Sequence, residues 1–215
     1  MGFAVAPDTL DLMRAVSRSG ELAHLAAERV WVETEKALAE PSPECYFTTL
    51  AACDALAAWW SELAAKACLA QALEAMQAAP EQREPPLAHW RYALLVSVLS
   101  ESQREALTVR LKLPNSVAQL ARHAASTKAL LAAPLEAEKV LCWLERLDGW
   151  RKPAQVSAQL QLLEQLSPGL RPVLEAAWQA ACAVSPQVLM GEGYRGAALG
   201  EALRQRRREA VAAAL

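Results

Sequence analysis

Few residues in this chain could do chemistry by type and spacing, and the clearest set lies in ERVWVETEKAL, from Glu28 to Leu38. On a helix, Arg29, Glu33 and Lys36 recur at i, i+4 and i+7, so a plus, minus, plus ladder runs down one face. Val30, Ala37 and Leu38 turn toward another face. Such a ladder buttresses a neighbouring element; it contains no nucleophile and no ligand set.

A nucleotidyl-transfer site needs two or three carboxylates on a rigid element to hold divalent cations, usually beside a glycine-rich turn for the triphosphate. No stretch of the sequence has that pattern. His24, His89 and His123 stand alone, without a His-Asp pair or metal-ligand spacing, and neither a G-x-S-x-G elbow nor a P-loop occurs. Cys45, Cys53, Cys68, Cys142 and Cys182 are odd in number and widely spaced, and they read as reduced thiols of a cytoplasmic protein. The expectation is a chain with no catalytic residue, metal site or cofactor of its own.

Cations offer more. Arg204, Arg206, Arg207 and Arg208 fall within LRQRRREA, and Arg146, Arg151 and Lys152 lie in or beside the turn DGWRKP with Trp150. Cations on rigid helices are what phosphate contacts require, although a solvated charged face has the same composition. Trp31, Trp59, Trp60, Trp90, Trp143 and Trp178 sit in apolar helical patterns and read as core, whereas Trp150 stands in a turn between cations and could stack on a base. Arg195 lies in GEGYRGAALG, where Gly191, Gly193, Gly196 and Gly200 permit tight turns and a phosphate's approach to main-chain N–H groups.

The elements that position these residues are helices. Hydrophobic residues make up 53% of the 215, Ala and Leu dominate, and β-branched runs are nearly absent, so the fold class is all-α. The expected helices are about 8–18, 26–39, 43–58, 61–79, 87–111, 115–132, 135–148, 153–166, 170–183 and 197–213. AAPEQREPPLAHW, from Ala78 to Trp90, is the expected hinge, dividing a region 1–80 from a region 81–215. In the DGWRKP turn, Gly149 is expected to take the left-handed cap conformation and Pro153 to start the next helix. A net charge of −2 argues against a globally basic binder, and DNA is not an expected partner. The start of the chain does not read as a signal peptide. The run YALLVSVL, Tyr92 to Leu99, is far short of the roughly 20 residues of a membrane span.

The order GFAVAPDTLDLMR, GELAHLAAERVWVETEKAL, RLKLPNSVAQLARHA, LDGWRKPAQV and VLMGEGYRGAALGEALRQRRREAV resembles the C-terminal part of a bacterial class II tRNA nucleotidyltransferase, of the CCA-adding and poly(A) polymerase family. The resemblance covers essentially the whole chain. It implies an elongated array of helices, neck-like over 1–80 and body- and tail-like over 81–215. Glu28, Arg29, Glu33 and Lys36 then resemble a neck motif that supports the nucleotide-selecting element of a catalytic head. The head's own motifs should precede GFAVAP, so the head is encoded separately, has been lost, or belongs to a longer protein of which this is a fragment. Mg²⁺ and CTP or ATP would belong to that head.

Some family members carry a metal-binding His-Asp pair in the body, and Ser97 and Val98 stand at the matching place here. The resemblance therefore implies no phosphohydrolase activity and an ordinary buried helix at that point. The function it implies is a non-catalytic tRNA-binding module supporting addition of CCA to tRNA 3′ ends. Its expected contacts are Arg146, Trp150, Arg151, Lys152, Arg195, Arg204, Arg206, Arg207 and Arg208. The alternatives are a protein partner of a separately encoded nucleotidyltransferase and a degenerate helical scaffold.

Overall fold

The computed structural model describes residues 5–81 and 84–215, and these form an all-α chain without a strand. Its helices are α1 (Pro7–Ser19), α2 (Ala27–Ala39), α3 (Glu44–Ala52), α4 (Leu56–Trp59), α5 (Lys66–Met76), α6 (Leu87–Leu95), α7 (Glu101–Arg110), α8 (Asn115–Leu131), α9 (Ala137–Arg146), α10 (Pro153–Leu166), α11 (Leu170–Cys182), α12 (Pro186–Gly191) and α13 (Gly196–Ala214), with short 3₁₀ turns between some of them. Among the described residues no helix is long and apolar enough to cross a membrane.

The chain divides into two compact units, Met1–Ala125 and Ser126–Leu215. The division falls inside α8, and the proline-rich stretch Ala78–Trp90 lies wholly within the first unit. Gln82 and Arg83 of that stretch lie outside the described residues, as do Met1 to Ala4.

In the first unit α6 packs against α2 and α5. Aromatic rings fill the centre: Trp31 meets Tyr92 edge-on at 5.2 Å and Phe47 meets Trp60 at 5.3 Å. Charged groups close its edges. The Arg91 guanidinium donates to the carbonyls of Leu38 and Glu40, satisfying the end of α2, and the Trp59 indole donates to Leu22 O at 2.7 Å.

Three helices expected to be continuous are broken. The 43–58 helix stops at Cys53, because Asp54 takes a left-handed conformation (φ 58°), and a new turn starts at Leu56. The 61–79 helix begins as a 3₁₀ turn, with α5 starting only at Lys66. The 87–111 helix ends at Leu95, passes through a 3₁₀ turn over Val96–Val98, and restarts at Glu101. The restart has a cause in the sequence. Ser100 accepts a hydrogen bond from Gln103 N at 3.3 Å, and Gln103 Oε1 accepts one from Ser100 N at 2.9 Å, a reciprocal cap written as Ser-x-x-Gln. Replacing Ser100 by Ala should cost about 1 kcal/mol in urea unfolding, and a change under a few tenths would deny the cap that role. Ser97 and Val98 accordingly lie half-buried in the 3₁₀ turn, with Ser97 Oγ donating to Leu94 O, and not in a regular buried helix.

In the second unit α9, α10, α11 and α13 enclose a core of Val140, Trp143, Leu144, Leu147, Val156, Leu160, Leu163, Leu174, Ala177, Ala181 and Val211. At its heart is a small polar chain. Trp143 Nε1 donates to Thr127 Oγ1 at 3.0 Å, and Thr127 Oγ1 donates to Gln159 Oε1 at 2.7 Å.

Candidate nucleic-acid interface

The corner between α9 and α10 is built by two residues with different duties. Asp148, not Gly149, takes the left-handed conformation (φ 51°), and Asp tolerates it. Gly149 is required by space: a Cβ there would lie 3.0 Å from Val156 Cγ2 and 3.3 Å from Leu144 O. Trp178 Nε1 donates to Gly149 O at 3.0 Å and fixes the corner to α11, and Pro153 starts α10 as its spacing predicts. The corner therefore presents Trp150, Arg151 and Lys152 from a rigid base.

The structure sorts the nine expected contact residues by what already holds them. Arg204 is committed: its guanidinium pairs with Glu138 and with Glu145 at 3.1 Å, pinning α13 onto α9. That hydrogen bond holds the Glu138 carboxyl below the usual carboxylate range. Arg207 is half-buried, with its guanidinium carbon 4.1 Å from the centre of the Trp150 ring. Trp150, itself partly buried, also packs against the core of the unit, and one face of its ring is covered by Arg207. Arg151 pairs with Asp148 at 2.8 Å, and the Arg195 guanidinium donates to the carbonyls of Met190 and Tyr194. Arg206 is held loosely, 3.9 Å from Glu192 and 4.0 Å from Glu209. Arg146, Lys152 and Arg208 are exposed and make no ion pair among the described residues.

These groups do not make one patch. Arg146 and Lys152 belong to the α9–α10 corner, whereas Arg208 lies one turn beyond Arg204, close enough to Glu138 to help lower that carboxyl. The arginine run in the sequence thus conceals a division of labour: position on α13 decides whether a guanidinium meets an acid, a ring or solvent.

In the first unit the ladder on α2 is only half formed. Lys36 pairs with Glu33 at 2.9 Å, but Arg29 makes no ion pair among the described residues. Glu28 pairs instead with Lys112 at 2.8 Å, an acceptor–donor link across 84 residues that sequence spacing on α2 does not show. Glu28, Arg29 and Glu33 rim a mainly apolar groove of about 680 Å³, walled by Leu22, Leu25, Val32, Tyr46, Leu50 and Trp59 among others. The groove was missed in sequence, and its signal was Val32, an apolar residue that the phase of α2 puts in water, with Leu25 exposed just before that helix.

Among the described residues no group of three or more His, Cys, Asp and Glu side chains is arranged to hold a metal. Several carboxylates are already engaged by cations: Glu62 by Arg110, Glu105 by Arg122, Glu138 and Glu145 by Arg204. These residues do not fit a pair of Mg²⁺ ions, and no catalytic step can be derived from them.

Residues 2–66 match the family described as the probable RNA and SrmB- binding site of polymerase A. A CCA-adding enzyme of Pseudomonas putida is 36% identical over 99% of this chain, and another from the same species is 38% identical over 99%. A multifunctional CCA protein of Pseudoalteromonas atlantica is 32% identical over 98%. The chain is similar to part of the CCA-adding enzymes. It spans 58%, 59% and 62% of the lengths of those three relatives, in keeping with the C-terminal portion of a CCA-adding enzyme that its segment order implied. No solved structure matches it. The matched stretch 2–66 contains the α2 groove, while the ion-pair-free cations of the second unit fall within the longer likeness to the CCA-adding enzymes.

Proposed function

We propose that this chain is a non-catalytic tRNA-binding module that supports CCA addition to tRNA 3′ ends, acting in the cytoplasm. The nucleotidyl-transfer carboxylates, with their Mg²⁺ and CTP or ATP, come from polypeptide outside the residues described, either the same protein or a separate nucleotidyltransferase. The observation that carries the reading is the set Arg146, Lys152 and Arg208, exposed cations on or at the ends of helices of the second unit that make no ion pair among the described residues. A buttressed helix with an unpaired cation is ready for phosphate, because no internal ion pair must break first. The body of the module performs no phosphohydrolysis in this reading, since the hydroxyl of Ser97 is spent on Leu94 O and Val98 offers no ligand atom.

The test compares two sets of variants in tRNA binding across a salt series. Replacing Arg146, Lys152 and Arg208 by Gln should weaken binding similarly for different tRNAs, because phosphate contacts carry no sequence information. Each lost contact should reduce the magnitude of the log K against log salt slope by about 0.7–0.9. Arg204→Gln should lower the melting temperature, by freeing α13 from α9, with little effect on that slope. A triple variant that keeps both affinity and slope would refute the assignment.

A further inference from the structure

Arg207 on α13 lacks what a half-buried charge needs. Its Nε is buried without a hydrogen-bond partner, and the residue makes no ion pair among the described residues, although Arg204 and Arg206 on the same helix both do. The carboxylate whose charge reaches it, Glu145, is already held by Arg204 at 3.1 Å. Burial outweighs that influence and pushes the guanidinium below its ordinary range. The Trp150 ring, 4.1 Å from the guanidinium carbon, compensates in part but offers the N–H groups no acceptor. A charge drawn out of water without an acceptor opposes folding, so the stability of the unit does not account for an arginine here.

What Trp150 contributes is orientation. Its own position is set by the corner that Trp178 ties to α11, so the ring covers one side of the guanidinium from a fixed base. An acceptor must then approach the fork from the side the ring leaves open. The same contact bridges two groups of cations that otherwise stand apart: Lys152 follows Trp150 by two residues, and Arg208 follows Arg207 directly. Both are exposed and free of ion pairs among the described residues, a setting that favours an anion over a neutral acceptor.

We propose that Arg207, backed by Trp150, is a phosphate clamp whose guanidinium fork holds two oxygens of one backbone phosphate of the bound RNA. The assignment rests on the reading of the second unit as tRNA-binding and gives it a specific anchor. Lys152 and Arg208 act as point charges around the site, whereas Arg207 supplies the planar pair of donors that a phosphate accepts in parallel. Trp150 does not stack on a base: it holds the fork in one plane, so little side-chain freedom is lost when the phosphate arrives. A phosphate also meets the two needs that the folded chain leaves open, a countercharge and hydrogen-bond acceptors.

The experiment measures binding of fluorescently labelled tRNAs by anisotropy over a salt series, with the melting temperature of each variant alongside. Arg207→Met should bind different tRNAs about tenfold more weakly and lower the magnitude of the log K against log salt slope by about 0.7–0.9, while melting no lower than the wild type. Arg207→Lys keeps the charge but not the fork, so it should lose most of that affinity with the slope unchanged. A residue that only braces α13 against the corner would behave otherwise: Arg207→Met would melt lower and leave the slope alone, and that result overturns the proposal. So does an Arg207→Lys protein that binds like the wild type, or a loss confined to some tRNAs, which would mean that the fork reads a base edge. If Arg207→Met keeps full affinity while the Arg146, Lys152 and Arg208 triple variant loses it, the clamp is refuted and the tRNA-binding reading stands; a wild-type chain that binds no tRNA refutes both.

Discussion

Arg110→Met is expected to lower the stability of the first unit by about 3–5 kcal/mol, the cost of stranding a charge in a poorly hydrated site. The Arg110 guanidinium grips both oxygens of Glu62, at 2.7 and 2.8 Å, and also donates to Trp59 O at 3.1 Å. The Glu62 side chain is only 9% exposed, so water cannot take over when the guanidinium is removed. The link ties α7 to the turn after α4, and its loss also takes a donor from Trp59 O. Urea unfolding followed by tryptophan fluorescence would measure it. Replacing both partners, Arg110→Met with Glu62→Met, should recover most of the loss, because no charge is then left buried; a double variant as unstable as the single would show that the pair contributes by packing and not by charge.

The same pair gives a pH signature with a fixed sign. Burial alone would raise the Glu62 pKa, but the Arg110 hydrogen bonds and charge outweigh it and hold the carboxyl below its ordinary value. A carboxyl depressed on folding contributes stability that is present above its unfolded pKa of about 4.3 and is lost as pH falls through the folded value. In Arg110→Met the partner is gone and burial raises the pKa, so Glu62 takes up its proton readily in acid. The stability gap between wild type and Arg110→Met should therefore narrow as pH falls below about 4, and a gap that widens there would contradict the geometry.

What the sequence made legible follows from which forces act locally. Helix α2, α9, α10 and α11 were readable because their apolar residues keep one phase over three turns or more, and Pro153 marks the start of α10 with a residue that favours no other place in it. The breaks near Asp54 and Val96 were not read as such, since Leu, Ala and Val continue through both and only a cap or a left-handed residue stops the helix. Ser100-x-x-Gln103 was a legible signal that the apolar run Tyr92–Leu99 outweighed. At the candidate interface, the sequence identified the arginines of α13 but treated them as equivalent. Arg204 meets Glu138 and Glu145 from sixty residues away, and Arg207 meets Trp150, and only tertiary packing decides that Arg208 is left to solvent. Long-range partnership is the information a helical phase does not contain.

Thr127→Val should destabilise the second unit by about 2–4 kcal/mol, although valine has nearly the same shape and is the more hydrophobic residue. Thr127 and Gln159 are wholly buried and Trp143 almost so, and the threonine hydroxyl is the one group that serves both neighbours, accepting from the indole N–H and donating to the amide oxygen. Valine leaves both without a partner, at roughly 1–3 kcal/mol for each buried orphan. Gln159 is already imperfectly served, since its Nε2 has no hydrogen-bond partner. Gln159→Leu therefore removes an orphan donor as it breaks the Thr127 hydrogen bond, and it should cost less than Thr127→Val. Combined, the two changes leave only the indole and the hydroxyl-free cavity wall to account for, so the double variant should be more stable than Thr127→Val alone. Chemical denaturation of the four proteins closes the cycle: additive effects, or a Thr127→Val protein as stable as the wild type, would mean that the chain of hydrogen bonds through Thr127 does not specify the packing of α9 and α10 around it.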